Sequence, residues 1–263
     1  MEQFPTLKDL AQATNKDVLI AWRGMGYNSR ALRLRDAAKT IIEKFNGVFP
    51  ESMDDLLSIK GIGNYTAAAI RNFAFGIPTP CIDTNIRRIL HRTFIGPENS
   101  DGTWKVNDQK LLVLADQILS IAIDLKRVPR DLSILPTTAE WHAALMDFGS
   151  LICTKRNPKW DIDPLTAKGL SRSSYKVKLS TKKVNKEPGR EMSGKFIPNR
   201  IFRGKIVETL RDAKAGLNSE KIGAEIAVDW NPIEHREWLQ GLLKNLVRDM
   251  MIQKRGARYM LSE

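Results

Sequence analysis

The sequence predicts an all-α chain with three parts: a large helical region over 1–167, a basic flexible linker over 168–199, and a small winged-helix-like domain over 200–263 closed by a β-hairpin. Three observations predict it. Apolar residues recur at helical spacing through the first 150 positions, with little strand-like alternation. From Lys168 to Asn199, nine Lys and Arg face two acids among Ser, Thr, Gly and Pro, a composition with too few large apolar residues to fold alone. Beyond it, Ile201–Leu210, Glu220–Ala227 and His235–Met250 read as helices, and the tail alternates around Lys254-Arg255-Gly256, a hairpin signal.

Taken in order, the first helices are marked by Leu7-Leu10, by Val18-Leu19-Trp22, and by Ala37-Ala38-Ile41-Ile42-Phe45. Breaks fall at Gly24/Gly26, at Gly47 through Pro50, at Gly61/Gly63, at Gly76 through Pro80 and at Gly96-Pro97. Further helices follow near 106–123 and 138–152.

Bulk properties narrow the class. No run of 18 apolar residues exists to span a membrane, and the first residues lack the basic and apolar regions of a secretory signal. Cys81 and Cys153 form no disulfide framework, which fits a reducing cytoplasm. The three histidines are scattered, with no pair at metal-ligand spacing. Charge is uneven. Residues 1–167 hold 21 Lys and Arg against 19 Asp and Glu, whereas 168–263 hold 21 against 11. Such asymmetry fits a nucleic-acid or other anionic partner, and equally fits plain solubility.

The stretch LLSIKGIGNYTAAAIRNFAFGIPTPCIDTNIRRIL, residues 56–90, carries the chemistry. Gly61 and Gly63 can take positive φ and leave backbone N–H groups uncovered just before a helix at Asn64–Phe75. A helix N-terminus of this kind holds a phosphate oxygen well, and Lys60 adds charge on the same rim. Asp83 follows Pro78-Thr79-Pro80 and precedes a helix over Thr84–Arg92, so it stands at or near an N-cap, where free N–H groups stabilise a negative charge. A turn and a cap alone explain most such patterns. An acid beside a phosphate-binding hairpin, with Arg87 and Arg88 one turn on, also suits chemistry on a sugar cation.

With those residues in view, the chain resembles the helix-hairpin-helix base-excision DNA glycosylases over roughly residues 4–165. IKGIGNYTAAAI is similar to their hairpin and CIDTNIRRILHR to the helix with their catalytic aspartate. FPTLKDLAQATNKDVLIAWRGMGYNSRALRL is most similar to the adenine-mismatch branch, and ALMDFGSLICTKRNPKWDIDPL resembles the segment that closes the family domain. The resemblance implies that Asp83 is the catalytic carboxylate, with Tyr65 beside it, and that Lys60, Gly61, Gly63 and Asn64 grip a DNA phosphate. It places Tyr27 and Arg30 near the lesion or its opposing strand, with Tyr27 equally readable as core, and Arg87 and Arg88 at the DNA. Tyr65 stands where a bifunctional branch has its Schiff-base lysine; a tyrosine is no amine nucleophile, which implies a monofunctional enzyme. The expected partner is double-stranded DNA with a mismatched or damaged base. The expected protein is a monomer, cytoplasmic and nucleoid-associated, with no membrane partner.

Tyrosine at this position does not choose between adenine opposite guanine or 8-oxoguanine and thymine or uracil opposite guanine. A non-catalytic DNA-binding module is the rival of another class. Two departures stand out. Where many relatives place four cysteines for an iron–sulfur cluster, this chain has Cys153, Trp160, Asp163 and Gly169, so no cluster, metal or other cofactor is expected. The family's N-terminal segment, with the glutamate that protonates adenine, has no counterpart here, so the sequence reads as N-terminally incomplete.

Overall fold

Thr6, Thr14, Asn107, Thr137 and Asn218 each accept a backbone N–H from three residues on, and these caps set where five helices begin. The computed structural model describes residues 2–124, 136–176 and 187–263. Along the chain run α1 (Leu7–Gln12), α2 (Asn15–Ala21), α3 (Ser29–Phe45), α4 (Met53–Ser58) and α5 (Asn64–Phe73). Next comes α6 (Thr84–Leu90), continuing into a π-helical turn at His91–Ile95, then α7 (Asp108–Ala122), α8 (Thr138–Leu151) and α9 (Pro164–Ala167). A hairpin of β1 (Gly189–Met192) and β2 (Lys195–Pro198) precedes α10 (Asn199–Asp212). The chain finishes with β3 (Leu217–Asn218), α11 (Ser219–Ile226), α12 (Arg236–Arg248), β4 (Ile252–Arg255) and β5 (Arg258–Leu261).

The described residues form two compact units. One draws on 2–50, 59–61 and 187–263, the other on 51–58, 62–124 and 136–176. In the first unit, α10 buries Phe202, Ile206, Val207 and Leu210, and α12 buries Leu239, Leu242, Leu243 and Leu246. This three- and four-residue spacing puts one stripe of each helix inward. Both stripes join a single cluster with Val18, Leu19, Ala31 and Leu32. Side-chain bonds to backbone tie the same parts. Asn15 donates to the Met250 carbonyl at 2.9 Å and Arg211 Nε to the Leu19 carbonyl at 3.0 Å. Strands β3, β5 and β4 pair antiparallel in that order, and β4 with β5 make the terminal hairpin.

This grouping differs from the linear segmentation into 1–167, 168–199 and 200–263. Residues 189–198 of the basic segment form the β1–β2 hairpin, while 177–186 lie outside the described residues. Composition marks where apolar content drops; it carries no information on which helices share a core. In the second unit, α5, α6 and α7 contribute Ala68, Ile86, Leu90, Leu111 and Ala115 to a smaller cluster with Cys81. Helix α8 packs closely on α6 because Gly149 has no Cβ, which would stand 2.6 Å from Asn85 Cβ.

Phe202 is fully buried and meets Trp238 edge-on at 4.7 Å between ring centroids. Phe202→Ala should cost about 3–5 kcal/mol. Urea unfolding followed by helical circular dichroism would measure it, and a loss under about 1 kcal/mol would show that the shared core does not depend on this ring.

Candidate active site

The hairpin between α4 and α5 is built as its glycines require, with one difference. Gly61 takes φ +95, which an L side chain rarely adopts. Gly63 does not: it is extended, at φ −100 and ψ 176, and any residue could hold that backbone. Its value lies elsewhere. Gly63 is the N-cap of α5, offers no side-chain cap, and a Cβ there would meet nothing within 4 Å. The first N–H groups of α5 therefore lack a side-chain acceptor from their own cap, and the ten-residue helix presents its positive end there. Lys60, Asn64 and Tyr65 are exposed around this turn.

Asp83 is the N-cap of α6, with its carboxylate accepting the Ile86 N–H at 2.6 Å. It is half-buried. Burial pushes the Tyr65 phenol above its ordinary value, and the charge of Asp83 adds to the effect, as does Cys81. Tyr65 and Asp83 thus lie within electrostatic reach of each other. Burial, again with Asp83, pushes the Cys81 thiol up to about 12, so the sulfur beside the carboxylate stays protonated and unreactive.

A buried amide network that sequence reasoning missed delivers Asp83. Asn72 is fully buried. It donates to the Thr79 carbonyl at 2.7 Å, and its oxygen accepts the Thr79 N–H at 2.9 Å and the Thr138 hydroxyl at 2.6 Å. Arg71 Nε donates to the Thr79 hydroxyl at 2.7 Å. The loop Pro78-Thr79-Pro80 is thereby fixed four residues before the acid. The available signal was a polar residue on the apolar face of α5.

The arginines divide. Arg87 donates to Asp108 from Nε at 2.7 Å, and that bond raises its pKa further. Arg88 corrects the expectation of a DNA contact. It is 5% exposed, and it donates to the Cys153 carbonyl at 2.6 Å, the Gly149 carbonyl at 2.5 Å and Asn85 Oδ1 at 2.7 Å. Burial draws its pKa down. Arg92, in the π-helical turn and 1% exposed, pairs with Glu98 at 2.6 Å and donates to the carbonyls of Thr154 and Lys155. Two guanidinium groups thus hold the carbonyls of Gly149, Cys153, Thr154 and Lys155.

That segment leads to the four positions where a cluster would be ligated. Cys153 is buried against Arg92, with Sγ 3.8 Å from the guanidinium. Trp160 lies 6.2 Å from the Tyr175 ring, and Asp163 caps α9 by accepting the Leu165 N–H and the Thr166 hydroxyl. Among the described residues, no group of three or more His, Cys, Asp or Glu is placed to hold a metal ion. In the other unit, Tyr27 is 71% exposed at φ +48, and Arg30 lies over the Trp22 ring at 5.3 Å. Tyr27 is therefore at the surface, not in the core.

Residues 1–109 match the profile of the HhH-GPD superfamily of base excision DNA repair proteins. The adenine DNA glycosylase of Mycolicibacterium smegmatis is 29% identical over 245 residues, spanning 92% of this chain and 73% of that protein. The human adenine DNA glycosylase is 32% identical over 159 residues, 60% of this chain and 26% of that one. A solved structure of a thermostable thymine-DNA glycosylase superposes with a TM-score of 0.51 at 24% identity, covering 65% of this chain and 70% of that one; this likeness concerns the fold.

Glu98→Ala leaves Arg92 buried without its counter-charge. It should destabilise the second unit by about 3–5 kcal/mol, read as a lowered melting temperature. An unchanged melting temperature would mean that the backbone carbonyls alone satisfy Arg92.

Proposed function

We propose that the protein is a monofunctional DNA glycosylase that removes adenine from mispairs with guanine or 8-oxoguanine, a reading supported by the match of residues 1–109 to the HhH-GPD superfamily of base excision DNA repair proteins. The adenine glycosylases among its relatives support the choice of base. The observation that carries the site is the Asp83 carboxylate, held at the α6 N-cap within electrostatic reach of Tyr65.

The mechanism follows from what each group can do. Exposed N–H groups at the start of α5, with Lys60 and Asn64, grip a backbone phosphate and position the duplex without reading sequence. The target nucleotide leaves the stack for the site. As the glycosidic bond breaks, its electron pair leaves with adenine, which takes up a proton from solvent; positive charge grows on the sugar, Asp83 stabilises it, and the attacking water it orients adds its oxygen to the sugar and releases a proton. Tyr65 offers no amine to form a covalent adduct with the sugar, so water completes the reaction. The glycosylase segment is 1–167; the lysine-rich C-terminal segment adds phosphate contacts.

The cluster of the family does not fit here. Of its four positions only Cys153 could be a ligand. Trp160 packs on Tyr175, Asp163 serves as a cap, and Gly169 has no side chain. We infer that the protein works without iron. Purified protein should contain none by elemental analysis and show no absorbance band near 400 nm; stoichiometric iron would overturn this.

Asp83→Asn keeps an oxygen for the Ile86 N–H and removes only the charge. Single-turnover adenine release should fall roughly 10²–10⁴-fold, with duplex affinity held or raised. Unchanged release would reduce Asp83 to a cap, and release of thymine but not adenine opposite guanine would overturn the choice of base.

A further inference from the structure

In the first unit, α12 buries Leu239, Leu242, Leu243 and Leu246. The side turned away from that stripe carries Glu237, Gln240, Gly241, Lys244 and Arg248, all exposed. Gly241 stands in the middle of this face. Glycine weakens a helix relative to alanine, and nothing inside the chain asks for it here: a Cβ would meet nothing within 4 Å. What the missing side chain preserves is close approach from outside, by a body that reaches the surface of the helix itself. The neighbouring side chains are available to such a body. Arg248 meets only its neighbour Asp249, at 3.3 Å and with 72% of its side chain exposed, a pairing that contributes little.

The hairpin that follows α12 gives a second, independent observation. Strand β4 packs beside the helix, and the Met251 N–H donates to the Leu246 carbonyl at 3.0 Å. The two-residue turn Gly256-Ala257 is flanked by Arg255 and Arg258, which face each other across the strands. Like charges in register cost stability. Glu263 offsets Arg255 at 2.6 Å, and Arg258 donates to the Ala215 carbonyl at 3.2 Å. Both arginines nonetheless remain exposed, with Lys254 beside them. Positive charge gathered at a tip, against the interest of the hairpin, suits a phosphate backbone.

The chemistry of the face selects the partner. Glutamine pairs with the edge of adenine, arginine with that of guanine, and glutamate accepts from cytosine. From Glu237 to Arg248 the face runs about 16 Å. The major groove of B-form DNA, about 12 Å wide, admits a helix, whereas the deep, narrow groove of an RNA duplex does not. We propose that α12 enters the major groove of duplex DNA with Gly241 against the groove, Gln240 and Arg248 at base edges, and Lys244 and the β4–β5 turn on the flanking phosphates. Phosphate contacts by lysine alone explain neither Gln240 nor Gly241. The inference is independent of the glycosylase reading, because every residue it uses lies between 237 and 258.

The test is equilibrium binding of the full chain to two fully paired DNA duplexes of one sequence. In the second, every cytosine carries a glucosylated hydroxymethyl group, which fills the major groove and leaves the phosphates as they are. The unmodified protein should bind the plain duplex about tenfold tighter, within the range that one paired base edge contributes. Gly241→Leu adds bulk at the helix surface without changing charge, and should bring that difference below twofold. Ser120→Leu, which adds bulk at an exposed position of α7, should keep it. Leucine is the better helix former at both positions, so the melting temperature should hold or rise and misfolding cannot account for a loss. If the unmodified protein binds the two duplexes equally, its contacts are to phosphates alone and the proposal falls. It falls as well if Gly241→Leu keeps the tenfold difference, or if neither duplex is bound and the face serves another partner. Adenine release from an adenine·guanine duplex is measured alongside; its absence, with the preference for an open groove intact, would overturn the glycosylase reading and leave this one standing.

Discussion

Helix α6 is pinned at both ends, and the rest of the second unit depends on that. At its start the Asp83 carboxylate caps the helix through the Ile86 N–H. At its end Arg88 and Arg92 bury their guanidinium groups against the carbonyls of residues 149–155. In the proposed reaction, a carboxylate facing a transient cation contributes through where it stands beforehand, because a charge free to swing would spend part of its stabilisation on being ordered. Capping alone would leave α6 free to tilt about its first turn. The buried arginines remove that freedom, and the close approach at Gly149 leaves α8 little room to shift.

Burying two guanidinium groups in one unit is expensive unless each N–H finds an acceptor. Here backbone carbonyls carry most of that load and Glu98 supplies a largely covered counter-charge to Arg92. Arginine suits the task because its planar fork reaches several carbonyls at once while staying charged. A metal cluster would join the same stretch of chain through covalent ligands. The arginine arrangement reaches it through α6 instead, which couples the loop to the helix that carries Asp83.

Much of this was legible in the sequence, and the limits have physical causes. The cap at Asp83 and the hairpin before α5 are local features, fixed by residues within a few positions of each other, so spacing alone located them. The terminal β4–β5 hairpin was visible for the same reason. The fate of Arg88 was not. A basic residue near a site reads as a ligand contact until its burial is known, and burial is decided by α8, some sixty residues away. Gly63 looked like a positive-φ turn residue because glycine is the usual choice for one; the backbone needed a bare N-terminus instead. The single core shared by α2, α3, α10 and α12 lay further out of reach. Each of those helices shows an apolar stripe, and a stripe does not name its partner.

The same distinction between local and distant partners revises what the C-terminal charge means. Several of its arginines are spent inside the first unit: Arg190 on Asp229, Arg203 on Asp249, Arg211 on Glu208 and on the Leu19 carbonyl. The lysines are used differently, although Lys205 donates to the Ile226 carbonyl at 3.3 Å. Lys195, Lys205, Lys214, Lys221, Lys244 and Lys254 are all exposed. An ammonium on a long stem is a strongly hydrated point charge that loses little by staying in water, whereas a guanidinium fits the geometry of carboxylates and carbonyls. The excess of positive charge therefore separates into arginine that holds the fold and lysine that faces solvent. Lysine of this kind attracts phosphates without reading sequence. On the proposed glycosylase reading, discrimination between bases comes from built sites with shape and fixed donors, and the lysine-rich surface would keep a duplex near them.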